Sequence, residues 1–232
     1  MNRQRLAENR LHVWYIHLDD TASLEQYYST LTVAERRQAS KFYLRLDEQR
    51  YIIGHGALRK LLGLYTDRRP VDVPISSLDN GKPVLTDASL EFNLAHSHAL
   101  AVVAIARRRV GVDIERLRPI PDAASIADCF FAEEARFIRQ VPEDSRSFEF
   151  LRRWTLREAY LKGLGVGLSV ALQSVRVPAT AARKTSKLNC HCDGNSQSCW
   201  QFGELQLEPS YIGAVAVEGS FDKMEEFSWG TD

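Results

Sequence analysis

The chain has 232 residues, 44% of them hydrophobic, which suffices for one large domain or two small ones with real cores and makes disorder the wrong default. Its 30 Lys and Arg balance 30 Asp and Glu, which removes the whole-molecule positive field expected of a protein that grips nucleic acid by its phosphates. No apolar run approaches a membrane span, the polar start MNRQRLAENR has no signal core, and three of four cysteines bunch at 190, 192 and 199 instead of spreading as disulfide pairs, so a soluble cytoplasmic protein is expected.

The run LHVWYIHL (11–18) is rich in β-branched and aromatic residues and predicts a first strand. From Ser23 to Tyr65 apolar positions recur at helical spacing, with Ile53, Ala57, Leu61 and Leu64 along one stripe, so two or more helices are expected. Pro70 and Pro74 break that pattern and Asn80-Gly81 marks a turn before a short strand at Leu90–Ala95. The continuous apolar run ALAVVAIA (99–106) fits a strand buried on both faces. Arg107, Arg108 and Arg109 then read as an exposed turn, and VGVDIE (110–115) as the second strand of a hairpin ended by RPIPD (118–122).

The second half repeats the order: a helical stretch through 130–140, a longer helix from Ser147 to Leu164, and strands late in the chain. SYIGAVAVEG (210–219) echoes HALAVVAIAR (98–107), and RRWTLREAYLKGLG echoes RYIIGHGALRKLLG. The pattern suggests two similar lobes, 1–108 and 109–232, each with strands and helices. The polar stretch between Thr180 and Ser198 reads as a loop without chemistry.

Asp113 and Glu115 sit two apart in a predicted strand, so both carboxylates leave one face while Val112 and Ile114 leave the other. Their Cα atoms lie roughly 6–7 Å apart at ordinary strand rise, close enough to raise each other's pKa unless a cation compensates. Taken alone the pair reads first as a solvated strand edge, the usual place for acids. The helix at 147–164 adds a second anomaly: Phe148, Leu151, Trp154 and Ala159 make an apolar stripe, and Glu158 and Lys162 project from its middle. Buried charges must pair, meet a ligand or open into a cleft; the alternative is an i,i+4 surface pair. A third carboxylate beside Asp113 and Glu115 makes an oxygen-rich site suited to magnesium, with Lys162 placed to meet a phosphate.

GVDIE (111–115), followed by WTLREAYLKGLGVGL (154–168), resembles the signature pair of the 4'-phosphopantetheinyl transferases. FNLAHS (92–97), GKP (81–83) and the helix RRQASKFYLRLDEQRYIIG (36–54) resemble further motifs of the longer, Sfp-type, pseudo-dimeric branch, in the same order. The resemblance implies a pseudo-twofold α+β protein, each lobe a small antiparallel sheet packed with helices, with coenzyme A in the cleft between them; the internal duplication favours a monomer, and charge balance and run length leave nucleic acid and membrane out of its expected partners. It implies magnesium held by Asp113, Glu115 and Glu158 in the C-terminal lobe, phosphate binding by Lys162, and His96 and Arg50 at the 3'-phosphate end. Lys82 and Pro83 would line the adenine and phosphate region and Trp154 would shape the cleft. Arg157 stands where the family commonly has lysine, which keeps a charge for phosphate but not the ammonium's point geometry. The implied reaction moves phosphopantetheine from coenzyme A to a serine of an apo acyl or peptidyl carrier protein and releases 3',5'-ADP, with Glu158 also the candidate base. Two rivals remain: another metal-dependent phosphoryl-transfer enzyme, and a silent carrier-binding module.

Other features carry less. His96 and Ser97 point to opposite strand faces and make a poor base and nucleophile. Cys190, His191, Cys192 and Cys199 lack the paired spacing of a structural zinc site. A docking role toward acidic carriers is open to the arginine triplet or to Arg36 and Arg37.

Overall fold

The computed structural model describes residues 5–130, 132–166, 188–192 and 199–230. Most of the polar stretch 180–198 lies outside these residues. In chain order come β1 (Arg10–His17), α1 (Leu24–Thr30), α2 (Val33–Ala39), α3 (Arg45–Thr66), β2 (Ile75–Ser77), β3 (Pro83–Leu85), β4 (Glu91–Ser97) and β5 (Leu100–Ala106). Then follow β6 (Val110–Arg116), α4 (Ala123–Phe130), α5 (Ala132–Gln140), α6 (Glu143–Leu164), β7 (Leu188–Cys192), β8 (Cys199–Glu204), β9 (Tyr211–Glu218) and β10 (Lys223–Trp229). The chain divides into two compact units, Met1–Arg107 with Asp222–Asp232, and Arg108–Phe221.

In the first unit the sheet runs β10-β1-β5-β4, antiparallel except for the parallel pair β1/β10. All seven residues of β5 are buried, as a run apolar on both faces requires. The face of α3 that carries Ile53, Ala57 and Leu61, each fully buried, packs into a core with Val103 and Ile105. α2 starts on a capping box between Thr32 and Glu35, and the Glu35 carboxylate also accepts from Arg59 Nε of α3 at 2.6 Å. Arg59 is itself buried and donates to the carbonyls of Pro70 and Val73, so one guanidinium joins two helices to the loop after α3.

In the second unit the sheet is antiparallel, β6-β9-β8-β7. α6 is enclosed: Leu156, Ala159 and Tyr160 pack on Trp200, Phe202, Ala214 and Ala216, while Phe150 and Leu151 pack with Ala123, Ala127, Ala135 and Ile138 of α4 and α5. The apolar surface of this helix is therefore wider than one stripe, and it begins at Glu143, four residues before the expected Ser147. The units share an internal order: β1-β5-β4 in one and β6-β9-β8 in the other place the last long strand beside the first. Each also carries a 22-residue helix that ends in a left-handed residue, Asp67 after α3 and Gly165 after α6.

Three expectations change. β6 is not the second strand of a hairpin with β5, because both edges of β5 are taken by β1 and β4, and β6 pairs with β9 instead. The arginine triplet is consequently a linker, and its side chains are anchored: Arg107 to the carbonyls of Leu6 and Ser89, Arg108 to that of Ser220, and Arg109 to the Glu218 carboxylate. The C-terminal strand returns to the first unit, where Phe227 stacks on Trp14 at 4.5 Å and Trp229 Nε1 donates to Tyr27 Oη at 3.1 Å. The Asn80-Gly81 turn closes a β2/β3 hairpin too short for the sequence pattern to show, with Gly81 left-handed at φ 84°.

Candidate active site

The geometry of the second unit begins at Gly111. A Cβ there would fall 2.8 Å from Gly163 Cα, and closer still to the Ala159 carbonyl oxygen and the Gly163 amide, so α6 lies on β6 backbone to backbone. Gly163 is equally constrained, since a Cβ on it would stand 2.6 Å from the Trp200 ring. Asp113 follows Gly111 on the same strand face, and Glu158 and Lys162 each precede a contact residue of α6 by one position. A 100° rotation then sets these two on the shoulder of the contact. This is why Glu158 and Lys162 are half-buried while Ala159 and Gly163 are buried. Helical spacing alone puts them in the middle of the stripe, and the packed helix puts them at its edge.

Lys162 Nζ donates to Asp113 Oδ1 at 2.6 Å. Asp113 is 6% exposed, and its carboxyl is pushed up to about 7 by burial, which outweighs the pull of Lys162 and is aided by smaller pushes from Glu158 and Glu115. The tight ion pair alone would lower it, but taking a carboxylate out of water costs more than one partly exposed ammonium returns. Burial raises Glu158 as well, opposed by Lys162 and aided by Glu115. Asp113 Oδ2 and Glu158 Oε1 are buried and accept no hydrogen bond. Glu115 Oε2 accepts from Arg118 Nη1 at 3.0 Å. Among the described residues no three His, Cys, Asp or Glu side chains are gathered closely enough to hold a metal ion; two of the three expected carboxylates instead meet cations of the chain. The donor set still fits a hard cation, because it is all carboxylate oxygen and leaves two buried oxygens without a partner.

Trp154 and Arg157 lie elsewhere on α6. Trp154 is half-buried, with its ring 6.0 Å from that of Phe150. Arg157 is 4% exposed and forks onto Glu134 of α5 at 2.6 and 2.8 Å. Its neighbours Arg152 and Arg153 are buried too and pair with Glu204 and Glu149. The charge at 157 therefore serves to hold α5 against α6 in this state.

The residues expected at the nucleotide end all belong to the first unit. Arg50 and His96 line one cavity of about 370 Å³, together with Leu18, Phe42, Tyr51 and His55. Arg50 forks onto Asp19 at 2.8 and 3.2 Å, which holds the guanidinium at the rim and keeps the Asp19 carboxyl below its usual range. His55 stacks on Tyr51 with ring centroids 3.8 Å apart, and burial lowers its pKa. Lys82 and Pro83 sit on the β2/β3 hairpin, where Lys82 N donates to Asn80 Oδ1, and they do not line this cavity. Asp47, Tyr51 and His55 line it without having been expected from sequence, although the steps 47, 50/51 and 54/55 follow one helix face and are a signal for it.

Comparison with known proteins points the same way. Residues 109–216 match the 4'-phosphopantetheinyl transferase superfamily. The chain is 34% identical over 221 residues to the 4'-phosphopantetheinyl transferase HetI of Nostoc sp. (strain PCC 7120), covering 92% of this chain and 90% of that protein. It is 27% identical over 210 residues to the 4'-phosphopantetheinyl transferase Sfp of Bacillus subtilis, covering 88% and 91% respectively. A mouse L-aminoadipate-semialdehyde dehydrogenase-phosphopantetheinyl transferase is 28% identical over 203 residues, 79% of this chain and 65% of that one.

Proposed function

Because the chain belongs to the 4'-phosphopantetheinyl transferase superfamily, we propose that it transfers the phosphopantetheine arm of coenzyme A to a serine of an acyl or peptidyl carrier protein. The observation that carries the reading is the pair of orphaned, buried oxygens on Asp113 and Glu158 beside Lys162. Buried acceptors left unpaired are costly and call for a ligand.

Asp113, Glu158 and Glu115 would hold magnesium, which when bound supplies positive charge against the coenzyme's pyrophosphate. Lys162, whose ammonium lies 2.6 Å from Asp113 Oδ1, would stabilise the charge that develops on a phosphate oxygen. Arg50 and His96 take the 3'-phosphate end, with Lys82 and Pro83 along the nucleotide, and Trp154 shapes the wall near the arm. The serine Oγ forms a bond to the phosphorus that bears pantetheine, the bridging P–O bond breaks, and 3',5'-ADP leaves. Glu158, whose carboxyl is raised by burial, accepts the serine proton directly or through water. Arg157 keeps α5 in place against α6, a supporting role that its fork on Glu134 favours over direct phosphate contact. Among the described residues no helix is long and apolar enough to cross a membrane. Action as a monomer in the cytoplasm belongs to the same proposal.

The test is direct. Purified protein with magnesium, coenzyme A and apo carriers should add the mass of one phosphopantetheine to the carrier, and Glu158→Gln should abolish the gain while leaving the circular dichroism spectrum unchanged. No mass gain across several apo carriers would overturn the proposal, and wild-type rates in Glu158→Gln would move the acid site elsewhere.

A further inference from the structure

Between α2 and α3 the chain exposes an unusual strip. Phe42, Tyr43, Leu44 and Leu46 are 39%, 99%, 57% and 47% exposed, so four of the nine large apolar side chains exposed among the described residues fall within five positions. Scattered apolar residues on a surface need no explanation, but a contiguous run does. Residues 36–46 also carry Arg36, Arg37, Lys41 and Arg45 and no acid. The first acids after them, Asp47 and Glu48, occupy the first turn of α3, where the helix dipole accounts for them.

The local structure does not explain the run. Leu44 holds the N-cap position of α3 in extended backbone and makes no side-chain cap bond, whereas Ser, Thr, Asp or Asn there would stabilise the helix. An apolar side chain held in water at a helix start is a local conflict of the kind found at functional surfaces. The strip also continues into the cavity, because Phe42 is both exposed and part of its lining with Arg50 and His96.

We infer that residues 36–46 dock the carrier protein, with the cations receiving acidic side chains of an amphipathic helix and Tyr43 and Leu44 covered by its apolar face. The inference rests on the carrier being the acceptor in the proposed reaction. Charge complementarity selects an acidic partner, and aromatic and aliphatic anchors with a basic rim suit a helix laid along them. Continuity with the cavity that takes the coenzyme favours a protein that must reach the coenzyme over a lipid surface.

The experiment compares wild type with Tyr43→Ala, Tyr43→Glu/Leu44→Glu and Arg37→Glu/Lys41→Glu, all in the full chain. Each is exposed, and melting curves confirm that each variant folds. The KM for an acidic apo carrier should rise about tenfold or more in the double variants, while kcat at saturating carrier and the KM for coenzyme A stay within about twofold. Added salt should raise the wild-type carrier KM and have a weaker effect on Arg37→Glu/Lys41→Glu. Unchanged carrier KM in a wild type that transfers would overturn the docking strip alone. No transfer by the wild type to any acidic carrier would remove the proposed reaction and the strip with it. Loss of binding to phosphatidylserine vesicles with unaltered carrier kinetics would assign the strip to a membrane and likewise overturn it.

Discussion

Gly111→Ala tests the seat on which the acid site depends. The new Cβ would lie 2.8 Å from Gly163 Cα, 0.6 Å inside the 3.4 Å at which ordinary contact begins, and the Ala159 carbonyl oxygen demands a larger retreat. Both obstacles are backbone, so no rotamer relieves them and α6 must move away from β6. Overpacking of this kind costs about 1–3 kcal/mol, the upper end being expected because the obstacle cannot turn aside. The same displacement draws Lys162 and Glu158 away from Asp113, and a misplacement of about 1 Å at reacting groups costs on the order of 100-fold in rate. Urea unfolding and transfer kinetics at saturating coenzyme should therefore both report the change. Gly54→Ala is the stability control, since its Cβ meets Leu18 Cδ2 at 3.4 Å and alanine favours a helix interior by up to about 1 kcal/mol. A Gly111→Ala protein with the wild-type urea midpoint and wild-type kcat would refute the claim that backbone contact positions the acids.

Two further outcomes follow from the same contacts. The Asp113 carboxyl ionises near 3.8 in an unfolded chain and near 7 in the fold, so between those values the native state holds the extra proton and stability falls as pH rises from about 4 to 7, by up to about 4 kcal/mol. Asp113→Asn should flatten that decline in melting curves, and magnesium should raise the wild-type midpoint above pH 7 but not the variant's; identical slopes in both proteins would show that Asp113 is not the group. Trp229→Ala should lower the stability read from urea unfolding by about 3 kcal/mol, since Trp229 is 9% exposed and bonds Tyr27; an unchanged midpoint would mean that β10 adds nothing to the first unit.

Much of the fold is legible in residue order alone. β5 announces itself because seven apolar residues in succession fit a strand covered on both sides, and Ile53, Ala57 and Leu61 announce the inner face of α3 because helical spacing leaves little choice. The repeat between 98–107 and 210–219 is legible for the same reason: β5 and β9 hold equivalent central places in their sheets. Spacing fails where partners are long-range. Three arginines between two apolar runs look like a hairpin turn, and only the occupied edges of β5 exclude that. The return of β10 to β1 has no local signal, because pairing residue 10 with residue 223 is a fact of tertiary packing.

For the acid site the division is sharper. Residue type and periodicity alone determine that Asp113 and Glu115 share a strand face and that Glu158 and Lys162 lie one above the other on a helix, since both follow from backbone geometry. Whether the two pairs meet depends on how closely a helix can approach a strand. Two glycines set that distance, Gly111 against α6 and Gly163 against Trp200. The pairing of Lys162 with Asp113, the fork of Arg157 on Glu134 and the elevated carboxyl of Asp113 arise from burial, which is a property of the packed chain and not of any one segment.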